Sequence, residues 1–260
     1  MSHTPSRLDS FQLTPDEVHV WCVNLDVPHG WSASFYASLT GDERNRSERF
    51  RFDRDRRRFI VAHGVLQDLL GRYLGTRPDR ISYVYNAFGK PELNPMFGSR
   101  LKFNLSHSAG LALVAITADS SVGIDLEYIR AQSDLADIAR RFFSPEEADC
   151  LMAVPSHLRT EAFFSCWTKK EAYLKACGEG LAIPSDSFSI PLTNDAVETP
   201  VDFYIAPNDI GPAKRWSMYT LEPAPGYVGA LVIAGTGWRL RQRPWQMPSR
   251  PKVVALSLRA

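Results

Sequence analysis

Two stretches of this sequence read as strand, tight turn, strand, and each follows a helical run. That alternation restricts the fold more than any other feature. Residues 101–117 (LKFNLSHSAGLALVAIT) set apolar and β-branched side chains on both sides of His107-Ser108-Ala109-Gly110, the composition of a hairpin. Residues 215–235 (RWSMYTLEPAPGYVGALVIAG) repeat the pattern. Ahead of the first hairpin stand a Val- and aromatic-rich strand at 18–25 (VHVWCVNL), a capping box at Thr40-Gly41-Asp42-Glu43 and a helix over about 53–74. On that helix Phe59, Ala62, Val65, Leu66, Leu69, Leu70 and Tyr73 form one stripe, and Gly75 supplies the stop. A further strand signal lies at 81–85 (ISYVY).

Ahead of the second hairpin stand VGIDLE at 122–127, a helix opened by Ser144-Pro145-Glu146-Glu147, and the run 156–177, which lacks Pro and Gly and ends at Gly178. Residues 201–205 (VDFYI) add a strand signal. Strand, helices, strands therefore occurs twice, which predicts an α+β (α/β) chain of two similar halves. The boundary falls near residues 120–122, and a ligand cleft is expected between the halves. Residues 237–260, with four Pro or Gly and five Arg, read as a tail without assigned order.

The 260 residues carry a net charge of only +1, so attraction for an anion must come from local clustering. No stretch approaches the ~18–20 apolar residues of a membrane span. The start, MSHTPSRLDSFQ, lacks the apolar centre of a signal peptide. A cytoplasmic protein is expected. Cys22, Cys150, Cys166 and Cys177 form no CxxC pair and read as reduced core thiols.

Five segments carry chemistry. In GIDLE (123–127), Asp125 and Glu127 point to the same side of a strand, about 7 Å apart. Such oxygen donors suit a hard cation such as Mg²⁺, and the plain alternative is a solvated strand face. In WTKKEAYLKACGEGL (167–181), Glu171 stands one helical turn from Trp167 and Lys175, with Lys169 and Lys170 beside it. This is a phosphate-and-metal site or an exposed ion pair. In FNLSHSAG (103–110), Ser106 and His107 enter the turn together as a phosphate cradle or a polar hairpin. Neighbours on a strand face opposite ways, so the two make a poor nucleophile and base. Residues 44–58 hold eight Arg against three acids, a phosphate-binding run or a solvated helix face. Without an interleaved aromatic platform or a basic net charge, nucleic acid is not the expected partner. FGKPEL (88–93) fixes a loop with one cation.

Taken in order, GKP, FNLSHS, GIDLE, RRFFSPEE (140–147), FFSCWTKKEAYLKACGEGL (163–181) and IPSDSF (183–188) resemble the motif series of the Sfp-type 4′-phosphopantetheinyl transferases over roughly residues 35–235. The resemblance implies two α/β halves related by a pseudo-twofold, residues 1–120 and 121–236, with 237–260 outside the match. It implies transfer of the 4′-phosphopantetheine of coenzyme A to a serine of an acyl or peptidyl carrier protein, with Mg²⁺ as cofactor and 3′,5′-ADP released. The carriers would be those of peptide synthetases, polyketide synthases or fatty-acid synthesis, and the enzyme a monomer with no membrane partner. Asp125, Glu127 and Glu171 match the metal ligands. Glu171 is then also the candidate base, and Lys175 faces the phosphates and the leaving group. Lys170, Ser106, His107, Lys90 and Pro91 match positions that meet coenzyme A. Arg58 and Arg46 match contacts to its 3′-phosphate, whereas Glu43 stands where some relatives have a lysine.

Overall fold

The computed structural model describes residues 11–191, 198–205 and 214–247. The first half runs β1 (Glu17–Asn24), α1 (His29–Ser38), α2 (Gly41–Ser47), α3 (Asp53–Leu74), β2 (Tyr83–Tyr85), β3 (Pro91–Leu93), β4 (Lys102–Ser108) and β5 (Leu111–Thr117). The second runs β6 (Val122–Tyr128), α4 (Leu135–Phe142), α5 (Pro145–Ala153), α6 (Arg159–Cys177), β7 (Val201–Ile205), β8 (Lys214–Leu221) and β9 (Tyr227–Ala234), and β10 (Arg239–Pro244) closes the described chain. The fold is mixed α/β. One four-stranded sheet has the order β10-β1-β5-β4, the other β6-β9-β8-β7, and β2 pairs with β3 alone.

Alternation along the strands sorts side chains into layers. Val18 and Val20 of β1, Leu113 and Ala115 of β5, and Val122, Ile124 and Leu126 of β6 share one core with Tyr219, Leu221, Leu231 and Ile233. The two sheets thus pack face to face. On the opposite face of the first sheet, Trp21, Val23, Val114 and Ile116 meet Phe35 of α1 and Val65, Leu66 and Leu69 of α3. On the opposite face of the second, Met218, Ala230 and Val232 meet Phe164, Ala172 and Tyr173 of α6. The result is four layers, helix, sheet, sheet, helix.

Local signals set the helix ends. Thr40 and Glu43 cap each other's backbone, as do Ser144 and Glu147. Gly75 ends α3 at φ 64° and Gly178 ends α6 at φ 77°, left-handed conformations that cost glycine nothing. Three expectations change. The turn after β4 shortens, so His107 and Ser108 lie in the strand and Ala109 takes the positive φ of 47°. Of the tail, Arg239–Pro244 forms β10, parallel to β1, and Trp245 behind it is buried against Phe35; residues 248–260 lie outside the described residues. The four cysteines are free thiols as expected, but only Cys166 is buried and Cys150 is exposed.

β4 and β6 are edge strands of different sheets and run beside each other. An open strand edge leaves backbone groups without partners. Here side chains of the first half supply them. Asn104 Oδ1 accepts from Ile124 N (2.9 Å), Ser108 Oγ accepts from Tyr128 N (3.1 Å), and Lys90 Nζ donates to Val122 O (3.1 Å). The two halves are stitched together at this seam.

Candidate active site

Gly123 brings α6 onto β6. A Cβ there would overlap Ala172 O and Ala176 N and stand 2.9 Å from Lys175 C. Only glycine admits the helix this close, and the contact carries Glu171 and Lys175 over the strand face that bears Asp125 and Glu127. As the strand period requires, both carboxylates leave β6 on that side while Val122, Ile124 and Leu126 enter the core. The face is not a solvated one, because Asp125 is 5% exposed and Glu127 and Glu171 are half-buried.

Ser106, Asp125 and Lys175 converge. Lys175 Nζ stands 2.5 Å from Asp125 Oδ1 and 3.2 Å from Ser106 Oγ, and Ser106 Oγ donates to the same Oδ1 at 2.9 Å. Ser108 Oγ donates to Glu127 Oε2 at 2.9 Å. Burial, then the Asp125 charge, raise the pKa of Glu171, with Lys175 opposing. Burial also raises that of Glu127, reinforced by Asp125 and countered by the Ser108 hydrogen bond. A cleft of about 320 Å³ opens beside this cluster, lined by Phe88, Lys90, Pro91 and Asn104 from the first half and Glu171 and Lys175 from the second. It is lined from both sides of the β4–β6 seam.

The donors fit a hard cation in kind. Asp125 Oδ2 is buried without a hydrogen-bond partner, and its neighbours are carboxylates held partly out of water. An uncompensated buried carboxylate oxygen costs free energy that a cation recovers. As placed, however, no three His, Cys, Asp or Glu side chains among the described residues stand close enough to enclose an ion. The Lys175 ammonium is ion-paired with Asp125 Oδ1.

The other expected site residues divide. Pro91 lines the cleft and Ser106 joins the cluster. His107 projects from the opposite face of β4, is exposed, and lies within electrostatic reach of His63, Lys175 and Arg46. Arg46 is exposed on α2 with its guanidinium over Phe59 (5.4 Å). Arg58 is engaged elsewhere, in a two-pronged bond to Asp26 with both contacts at 2.8 Å. Two of them direct their ammonium groups elsewhere. Lys170 cannot meet a phosphate in this arrangement. It is 2% exposed, its Nζ 2.5 Å from Glu147 Oε2 and 2.7 Å from Phe188 O, because it leaves α6 about 100° round from Glu171. Lys90 lines the cleft, but its ammonium donates to the carbonyls of Val122, Lys175 (2.6 Å) and Ala176 (3.3 Å).

Sequence reasoning missed Asn104 and Ser108 as the residues that hold β6 in place. Their signal was available, since they alternate with Ser106 on the same face of β4. It gave Glu43 only its place in the capping box. That carboxylate is buried and accepts from Thr40 N, His63 and Gln67, which anchors α2 to α3.

Known proteins match along the same lines. Residues 121–232 match the profile of the 4′-phosphopantetheinyl transferase superfamily, and residues 27–119 that of the 4′-phosphopantetheinyl transferase N-terminal domain. The chain is 42% identical over 228 residues to 4′-phosphopantetheinyl transferase HetI of Nostoc sp., covering 87% of this chain and 92% of that protein. It is 32% identical to a 4′-phosphopantetheinyl transferase of Bacillus subtilis, over 68% of this chain and 77% of that one. With 4′-phosphopantetheinyl transferase Sfp of Bacillus subtilis (strain 168) the identity is 27%, over 73% and 85%. These relatives span both halves and the seam between them, and the chain belongs to the 4′-phosphopantetheinyl transferase superfamily of enzymes.

Proposed function

We propose that this enzyme transfers the 4′-phosphopantetheine of coenzyme A to a serine of an apo acyl or peptidyl carrier protein in a Mg²⁺-dependent reaction. The observation that carries the reading is the convergence of Ser106, Asp125 and Lys175 beside an unpartnered Asp125 Oδ2 at the mouth of a cleft between the halves. Asp125, Glu127 and Glu171 would hold the Mg²⁺, which when bound supplies positive charge to the pyrophosphate.

The protein groups do the rest. Ser106 and Lys175 hold a phosphate oxygen by donation from the hydroxyl and the ammonium. His107, from the other face of β4, and Arg46 on α2 would meet the nucleotide end. Glu171, its proton affinity raised by burial, accepts the proton of the carrier serine as the serine oxygen attacks the phosphorus bearing pantetheine. The bond from that phosphorus to the leaving 3′,5′-ADP breaks, and the Lys175 ammonium steadies the charge that develops there. Positioning and electrostatics supply the rate.

The reading takes the chain as a cytoplasmic monomer of two pseudo-twofold halves that serves carriers of peptide synthetases, polyketide synthases or fatty-acid synthesis. Among the described residues no helix is long and apolar enough to cross a membrane. Intact-mass analysis of several apo carriers, incubated with the protein, coenzyme A and either Mg²⁺ or a chelator, tests it. A mass gain of one phosphopantetheine that the chelator abolishes is expected. No gain on any carrier defeats the proposal, and a chelator-insensitive gain defeats its metal part.

A further inference from the structure

We propose that Lys90 is a positioning residue for the transfer: its ammonium locks the last turn of α6 to the edge of β6, and through that turn sets where Glu171 and Lys175 stand. The inference rests on reading α6 as the catalytic helix. It replaces a direct contact between Lys90 and coenzyme A with an indirect one.

A helix ends with carbonyls that have no partner within it, and a cation at that end also meets the negative pole of the helix dipole. Lys90 Nζ fills both needs for α6. It donates to Lys175 O at 2.6 Å and Ala176 O at 3.3 Å, and its third donor goes to Val122 O at 3.1 Å on β6. One ammonium thus holds a helix end and a strand edge of the second half from a loop of the first. Burial lowers its pKa to about 8, the direction desolvation gives a cation.

The loop is built for this task. Asn86 Oδ1 accepts from Phe88 N and Lys90 N, both at 2.9 Å, which closes the loop on itself. Asn86 Nδ2 donates to Gly178 O at 2.7 Å, one residue past the helix. Gly178 leaves room for the pair, since a Cβ there would stand 3.0 Å from Lys90 Cδ and 3.2 Å from Asn86 Nδ2. The first carbonyl of the clamp belongs to Lys175 itself, whose side chain reaches Asp125 and Ser106. Displacing that carbonyl displaces the catalytic ammonium.

Steady-state kinetics with coenzyme A and an apo carrier test the proposal, on Lys90→Met, Lys175→Ala and the double variant, each normalised to its folded fraction by circular dichroism. Methionine keeps most of the stem and removes the donors. We expect Lys90→Met to lower kcat about tenfold to hundredfold, the range for a displacement of about 1 Å, with KM for coenzyme A changed less than about threefold. The double variant should be slower than Lys175→Ala by clearly less than the loss Lys90→Met causes alone, because residues acting as one unit do not add fully and only the displacement of Glu171 is left to lose. A KM increase of tenfold at unchanged kcat would return Lys90 to direct contact with coenzyme A and overturn the inference. Additive losses, or unchanged kinetics, would overturn it too. If Lys90→Met does not fold, Asn86→Ala decides by the same kcat-selective pattern at smaller size. Amide exchange at residues 174–178 reads the clamp without activity: faster exchange there in Lys90→Met is expected, and unchanged protection refutes the clamp even if the transferase reading fails on its own test.

Discussion

Replacing Gly123 by alanine should separate the catalytic helix from its strand by a measurable distance. An added methyl would overlap Ala172 O and Ala176 N of α6, both backbone atoms that no side-chain rotation can clear. Restoring ordinary contact requires α6 to retreat by roughly 1 Å, since close-packed interiors have no slack at that scale. Overpacking of this kind costs about 1–3 kcal/mol, so the denaturation midpoint should fall. The kinetic loss should lie at the upper end of that range. Lys175 Nζ now stands 2.5 Å from Asp125 and 3.2 Å from Ser106, and a shift of about 1 Å at a reacting centre costs about a hundredfold in rate. The assay is carrier modification followed by intact mass, beside urea unfolding of the same samples. Gly30→Ala is the control. It lies in α1 with nothing within 4 Å of the added Cβ, and helix propensity alone should stabilise it by up to about 1 kcal/mol. A Gly123→Ala protein with turnover within twofold of the parent and an unchanged midpoint would refute the account of how α6 is seated.

Glu171→Gln should abolish transfer yet raise thermal stability at neutral pH. The native carboxyl holds its proton more tightly than the unfolded one, whose ordinary value is 4.5, so the contribution it makes when protonated is full below that value and lost as pH rises through the raised native one. The variant's advantage in melting temperature should therefore vanish on acidification below pH 4.5, and an advantage that grows there would contradict the sign. Mg²⁺ should raise the melting temperature of the parent and not of Glu171→Gln; equal shifts would argue against that ligand. Glu147→Ala, which strands the buried Lys170 ammonium, should cost about 3–5 kcal/mol in urea unfolding. A loss below 1 kcal/mol would mean Lys170 has another home. Trp245→Ala removes a side chain packed against Phe35 with its Nε1–H directed at Asp68 (3.3 Å), for an expected loss of about 3–5 kcal/mol with KM for coenzyme A unchanged.

Much of this architecture was written in short-range patterns. The capping boxes at Thr40 and Ser144, the stripe of α3 and the glycines that end α3 and α6 are local devices, decided within four residues of chain. The shared face of Asp125 and Glu127 follows from strand geometry alone. What sequence could not convey is which partner a long polar side chain chooses. Lys90, Lys170 and Arg58 all read as coenzyme A contacts, yet each is committed to an acid or to carbonyls. Those choices depend on residues 85, 23 and 32 positions away. Strand β10 was hidden for a related reason. Its arginines alternate with Leu240 and Gln242 and advertise no apolar face, and its partners Asp16 and Glu17 lie at the other end of the chain.

That last pairing bears on the order in which the molecule is made. During synthesis the first half emerges with β1 paired on one side to β5, while the other edge waits for residues more than two hundred positions downstream. The bonds from Arg239 and Arg241 to Asp16 and Glu17 form only after the whole second half has left the ribosome. Contacts of such separation close late and slowly. Until then an uncovered edge invites pairing with another nascent chain. The first half to be translated is thus the last to be completed, and a ribosome that stalls before residue 239 releases a protein whose oldest sheet is still missing a strand.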